Sequence, residues 1–136
     1  RVSTAMNQKG GAFDFASSNP MWRASLNVLD FIPLVNADYG GGIIITDWFS
    51  ENNSKDSMKI TVMFLSNEIR ADGLEIIVHE KKCINETCTT SLLESDINNQ
   101  IKLAILKKAA TLKTADIKKA VKKDGAYPQK KNRKKN

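Results

Sequence analysis

The stretch Gly40-Gly41-Gly42-Ile43-Ile44-Ile45-Thr46-Asp47-Trp48-Phe49 constrains this chain most. Three glycines accept backbone angles that other residues resist, which suits a sharp entry into a strand. The isoleucines that follow are β-branched and favour a pleated surface. A period of two puts Ile43, Ile45, Asp47 and Phe49 on one side and Ile44, Thr46 and Trp48 on the other. Neither side is plainly polar, so the run reads as an inner strand, or as one whose second face is also covered. Asp47 has no partner acid, base or metal ligand in view. It reads as a strand-end carboxylate bonded to a neighbouring backbone group or hydroxyl rather than as a catalytic group.

The chain has 136 residues, which suits one compact domain with ragged ends. Hydrophobic residues make up 41%, enough for a modest core. No apolar run approaches the ~20 residues that span a bilayer. The first residue is Arg1, so the expectation is a processed or truncated start, with any export signal or lipid-anchor cysteine upstream. Net charge is +6, and it is unevenly spread. Residues 118–136 hold nine Lys or Arg against one acid, Asp124, a charge of +8, which leaves −2 for the rest. The basic character belongs to the tail, which weakens any case for nucleic-acid binding by the folded body.

In chain order, residues 1–18 read as an irregular arm with Phe13 and Phe15 as its apolar anchors. Asn19-Pro20 reads as a helix start, with Asn19 the cap and Pro20 the first helical residue. Met21, Trp22, Ser25, Leu26, Val28 and Leu29 form one stripe at helical spacing, and Pro33 closes the segment. Trp22 is expected in the core. Leu34 to Tyr39 is an extended lead-in to the glycines. A polar loop, Ser50–Ser57, precedes a second strand at about Met58–Leu65, in which Ile60, Val62 and Phe64 share a face. Asp72-Gly73 signals the turn into a third strand, Leu74–Lys81, in which Leu74, Ile76 and Val78 alternate with Glu75, Ile77 and His79. Cys88-Thr89-Thr90 offers a short fourth strand. Capping signals follow at Ser91–Glu94 and at Ser95-Asp96. Leu93, Ile97, Ile101, Ala104, Ile105, Ala109 and Leu112 then recur every three or four residues, the strongest helix signal in the chain. Thr114-Ala115-Asp116 could cap a further short helix over 114–124, and residues 125–136 read as a disordered basic tail.

The resulting fold is α+β: a helix, an antiparallel meander of three or four strands, then a long helix, with both helices on one face. The single domain spans 19–113. The strand connections Ser50–Ser57 and Asn67–Gly73 are short enough for hairpins and too short for crossover helices.

Few residues carry chemistry. The glycine triplet precedes a strand, whereas phosphate cradles lie between a strand and a helix N-terminus. His79, the one histidine, has Glu75 on its face, so an acid–base pair is conceivable, but a surface or half-buried strand residue is the simpler reading. The expected catalytic, cofactor and metal residues are therefore none. Cys83 and Cys88 are spaced C-x4-C, unlike zinc-ribbon or thioredoxin-type pairs. In an oxidising compartment they close a small disulfide loop; in the cytosol they are two free thiols. The lysine-rich tail could attract an anionic membrane surface or nucleic acid, or simply be solvated. Apart from Tyr127 it lacks interleaved aromatics for base stacking.

Four blocks carry a family resemblance: Trp22-Arg23-Ala24-Ser25-Leu26, Phe31-Ile32-Pro33-Leu34, Gly42 to Trp48, and Ile69-Arg70-Ala71-Asp72. Over about residues 19–113 the chain resembles the uncharacterised bacterial DUF3576 family of Gram-negative envelope proteins, typically small lipoproteins with an export signal. In pattern alone it is also similar to helix-then-strand domains of envelope assembly lipoproteins, including an accessory lipoprotein of the outer-membrane barrel-assembly machinery. The resemblance implies a periplasmic, outer-membrane-anchored protein that is not an enzyme and whose partner is another envelope protein. A basic-tailed nucleic-acid-binding module is the alternative. The cysteine pair and the tail are not part of the resemblance.

If Ile43, Ile45, Ile60, Val62, Phe64, Leu74, Ile76 and Val78 face the helices, the second face carries Ile44, Thr46, Trp48, Thr61, Met63, Leu65, Ile77 and His79. That is too apolar for water alone, and Trp and Met are favoured at interaction sites. Either a protein partner docks there, centred on Trp48, or the N-terminal arm folds across it.

Overall fold

The computed structural model describes residues 19–51 and 54–124. The expected arm with Phe13 and Phe15, and the basic tail over 125–136, lie outside the described residues. Helix α1 (Pro20–Val28) is followed by strands β1 (Leu34–Asp38), β2 (Ile43–Thr46), β3 (Ser57–Phe64), β4 (Leu74–Ile84) and β5 (Thr87–Leu92), then by helix α2 (Asp96–Asp124). The five strands pair antiparallel in sequence order, a meander, and both helices pack on one side of it. The fold is α+β as expected, with five strands rather than three or four. The lead-in Leu34–Asp38 pairs with β2 as an edge strand.

Asn19 caps α1, its Oδ1 accepting the N–H groups of Met21 at 3.0 Å and Trp22 at 3.3 Å. Pro20, which has no N–H to lose, occupies the first turn. The helix ends at Val28, short of Pro33, in a turn where the Ile32 N–H reaches Leu29 O. Its inner stripe, Met21, Trp22, Ala24 and Ser25, is buried. Trp22 meets Tyr39 edge-on at 5.1 Å and Phe64 at 5.5 Å between ring centroids, which pins α1 to the glycine end of the sheet.

The β1–β2 connection shows why glycines stand there. Gly42 has φ +67°, and a Cβ on it would lie 3.2 Å from Phe64 O. That carbonyl belongs to β3, whose Phe64 N–H in turn donates to Gly42 O at 2.8 Å. The left-handed angle and the close backbone approach both call for glycine.

In α2, Ile105 and Ala109 are fully buried, and Ile97, Ile101, Leu106 and Leu112 pack against the same core. Ser95 supplies the cap, its Oγ accepting the Ile97 N–H at 3.3 Å; Ser91 belongs to β5. The separate helix expected over 114–124 is a continuation of α2. Thr114 does not cap a new start, because its hydroxyl donates to Ala110 O one turn back at 3.0 Å. At the other end, Asn98 Nδ2 donates to Ile76 O at 3.3 Å and ties α2 to β4.

Beyond the helices the β4–β5 hairpin projects alone. Asn85 and Glu86 form its turn, with Asn85 at φ 58°, an angle asparagine tolerates. Cys83 and Cys88 face each other across the pair and are joined by a disulfide, their Cα atoms 4.0 Å apart. Arg70 binds Asp72 through two 2.8 Å hydrogen bonds before β4. The Arg70 guanidinium holds the Asp72 carboxyl below its usual range, and the two carboxylates, Asp72 and Glu68, raise the pKa of Arg70.

Candidate functional site

The register of the sheet decides which side chains are presented on the face away from the helices. Ile44 aligns with Val62 and Val62 with Ile76, and all three are buried under the helices. Their neighbours one position along alternate to the other face. Read across the strands, one row of that open face is Asp38, Ile43, Met63 and Glu75. The next is Asn36, Ile45, Thr61 and Ile77. Lys59, His79 and Leu92 form a third row, and Ser57, Lys81 and Thr90 a fourth.

This corrects two expected members of the face. Ile44 and Thr46 are both 0% exposed and belong to the helix side, while Ile43 and Ile45, expected beneath the helices, lie half-buried on the open side. Trp48, Thr61, Met63, Ile77 and His79 are brought together on the open face as expected.

Trp48 reaches that face through a break in the pairing. Ile45 pairs with Thr61, which would set Thr46 opposite Ile60, yet Phe49 pairs with Met58. Asp47 and Trp48 therefore both stand opposite Lys59, one extra residue on the β2 side, which is a β-bulge. The bulge inverts the alternation. Thr46 points into the core, Trp48 points away from it, and Phe49 returns to pack against the core. The carboxylate of Asp47 accepts the Trp48 N–H at 2.7 Å, the local bonding role expected of it.

Two ammonium groups lie over the indole of Trp48. Lys81 Nζ is 4.5 Å from the ring centroid and Lys59 Nζ is 5.4 Å away. Both are within cation–π range. Among the described residues neither lysine makes a salt bridge, whereas Lys82, on the other side of β4, is 4.0 Å from Glu80. The lysines were missed in the sequence although strand alternation reveals them: Lys59 shares a face with Thr61 and Met63, and Lys81 with Ile77 and His79. Glu75 and His79 do share this face, but Ile77 stands between them and no hydrogen bond joins them. Four residues of strand separate them by about 13 Å, too far for an acid–base pair.

A concavity of about 380 Å³ opens between the start of α1 and the glycine turn. Asn19, Trp22, Tyr39, the three glycines, Phe64, Leu65, Ser66 and Asn67 line it. Asn19 Nδ2 donates to Tyr39 Oη at 3.2 Å within it, and among the described residues no carboxylate, imidazole, amine or thiol enters its lining. Among the described residues no three His, Cys, Asp or Glu side chains gather as metal ligands, and no helix is long and apolar enough to cross a membrane.

The sequence pattern of DUF3576, described as a domain of unknown function, matches residues 15–114. The chain belongs to the DUF3576 family. The DUF3576 match takes in α1, the whole sheet and most of α2, so the open face lies entirely within it. An uncharacterized protein of Rickettsia prowazekii (strain Madrid E) is 28% identical over 110 residues. That match covers 80% of this chain and 66% of the relative, so the chain spans a little under two thirds of the relative's length. No solved structure matches the chain.

Proposed function

We propose that this DUF3576 protein is a non-enzymatic accessory of the bacterial cell envelope that docks a protein partner on the open face of its sheet, around Trp48. One observation carries the reading. The bulge at Asp47-Trp48 turns a tryptophan away from a core that holds Thr46 and Phe49 on either side of it. A large aromatic placed outside the core, on a face that also carries Ile43, Ile45, Met63 and Ile77, is the composition favoured at protein interfaces. The side chains offered there are apolar, aromatic and charged at the two ends, and Glu75 and His79 are kept apart. The envelope location is supported by the family resemblance and by the Cys83–Cys88 disulfide, which suits an oxidising compartment. Anchoring at the outer membrane through an upstream lipid-bearing cysteine is part of the same proposal.

The test is Trp48→Glu in the full-length protein, tagged and isolated from envelope fractions. Co-purification of the partner is lost while the thermal unfolding midpoint stays within a few degrees of the parent. Unfolding of the variant would make Trp48 a core residue. Retention of the partner would place docking elsewhere. Either result ends the reading.

A further inference from the structure

The open face is graded in charge along the strands. At the glycine end its row carries carboxylates, Asp38 and Glu75, on either side of Ile43 and Met63. The middle is uncharged, with Ile45 and Ile77 about Thr61 and Asn36 at the edge strand. At the bulge end stand Lys59 and Lys81 over Trp48, with His79 alongside. Glu75 and Lys81 are six residues apart on one face of β4, which is about 20 Å. Neither Glu75 nor the two lysines has a salt-bridge partner among the described residues.

We infer that the open face takes an amphipathic helix of a protein partner in one orientation, its acidic end over Lys59 and Lys81 and its basic end over Glu75. The inference rests on the docking reading and names the chemistry of the docked segment. Twenty ångströms correspond to about 14 residues of helix at 1.5 Å each. A helix fits because this is a sheet face and not an edge: main-chain pairing is satisfied within the sheet, and the opposite face already accepts helices. The isoleucines of the middle meet an apolar stripe, and the charges at the two ends fix direction, because reversal sets like charges together. Single-stranded nucleic acid is the less suitable occupant. The ammonium groups cover the indole that a base would stack upon, and Glu75 repels phosphate at the far end.

The probe is a pair of synthetic 14-residue helical peptides with the same leucine stripe. One has glutamates in the first turn and lysines in the last; the other has lysines at both ends. Binding to the isotope-labelled full chain is followed by NMR, with the Trp48 indole N–H as reporter. The acid–base peptide binds at least tenfold more tightly than the all-lysine one. Lys59→Glu with Lys81→Glu reverses the order. Lys59→Gln with Lys81→Gln, which places no new carboxylate beside Trp48, removes the preference and serves if the first variant loses its fold. Equal binding of both peptides, no binding of either, or an unchanged preference in the variants overturns the inference. So does tighter binding of oligothymidylate or of phosphatidylglycerol vesicles at the same two lysines. If Trp48-dependent co-purification survives any of these results, the docking reading stands and only the chemistry of the segment is wrong.

Discussion

The Thr46 hydroxyl takes the place of a backbone acceptor for Ile60. The Ile60 N–H donates to Thr46 Oγ1 at 2.9 Å, and that hydroxyl donates onward to Asp47 O at 2.9 Å. The β2–β3 ladder opens here for the bulge, so a buried N–H would otherwise have no partner. Thr46→Val keeps the shape and removes the acceptor, which is expected to cost about 1–3 kcal/mol. Thr46→Ser keeps the hydroxyl and loses a methyl, about 0.8 kcal/mol. Urea denaturation should rank the parent above Ser and Ser above Val. A Val variant as stable as the parent would show that the hydroxyl does not hold the bulge.

The same bulge marks where the sequence stops being legible. Strands β3 and β4 alternate apolar with polar or mixed residues, so their faces follow from a period of two. Asn19-Pro20 and the stripe of α2 are equally direct. Ile43-Ile44-Ile45 carries no alternation, so nothing local says that Ile44 goes inward. Counting by twos then links Ile44, Thr46 and Trp48, and the extra residue opposite Lys59 breaks that count. The two errors about Ile44 and Thr46 and the correct placement of Trp48 share one cause. Strand β1 looked like a lead-in because its five residues are all exposed, as suits an edge. The candidate site was visible as an apolar face. Its charges were not, because Lys59 and Lys81 acquire meaning only through the cross-strand register.

The hairpin that carries the disulfide should behave as a separate local unit. All six residues of β5 are exposed, and no residue of the Cys83–Cys88 segment belongs to the hydrophobic core. Closing so short a loop contributes on the order of 2 kcal/mol by chain entropy. Replacing both cysteines by serine is expected to lower stability by no more than that. Amide exchange should rise across Lys82–Thr89 while Val62 and Val78 stay protected. Loss of protection at Val62 would mean that the bond supports the whole sheet. Alkylation of two thiols in native, non-reduced protein would mean that it is absent.

Arg23 of α1 and Asp116 of α2 form an ion pair across 93 residues of sequence. It lies beyond residue 113, the domain end expected from the sequence, and it joins α1 to the part of α2 that continues past Thr114. The pair is partly exposed, with side chains 29% and 38% accessible, so the charge interaction is discounted for solvent. Arg23 Nε is nevertheless buried without a hydrogen-bond partner among the described residues, and Asp116 is the partner of Arg23 Nη2. Asp116→Asn is expected to cost about 0.5–1 kcal/mol, shrinking in 1 M salt. Ending the chain after Lys113 should cost more than Asp116→Asn. It removes the Asp116 acceptor together with the last turns of α2. Thermal unfolding of the three proteins at low and high salt decides the order. A chain ending at Lys113 that melts with the full-length protein would show that the last turns of α2 contribute nothing to the fold.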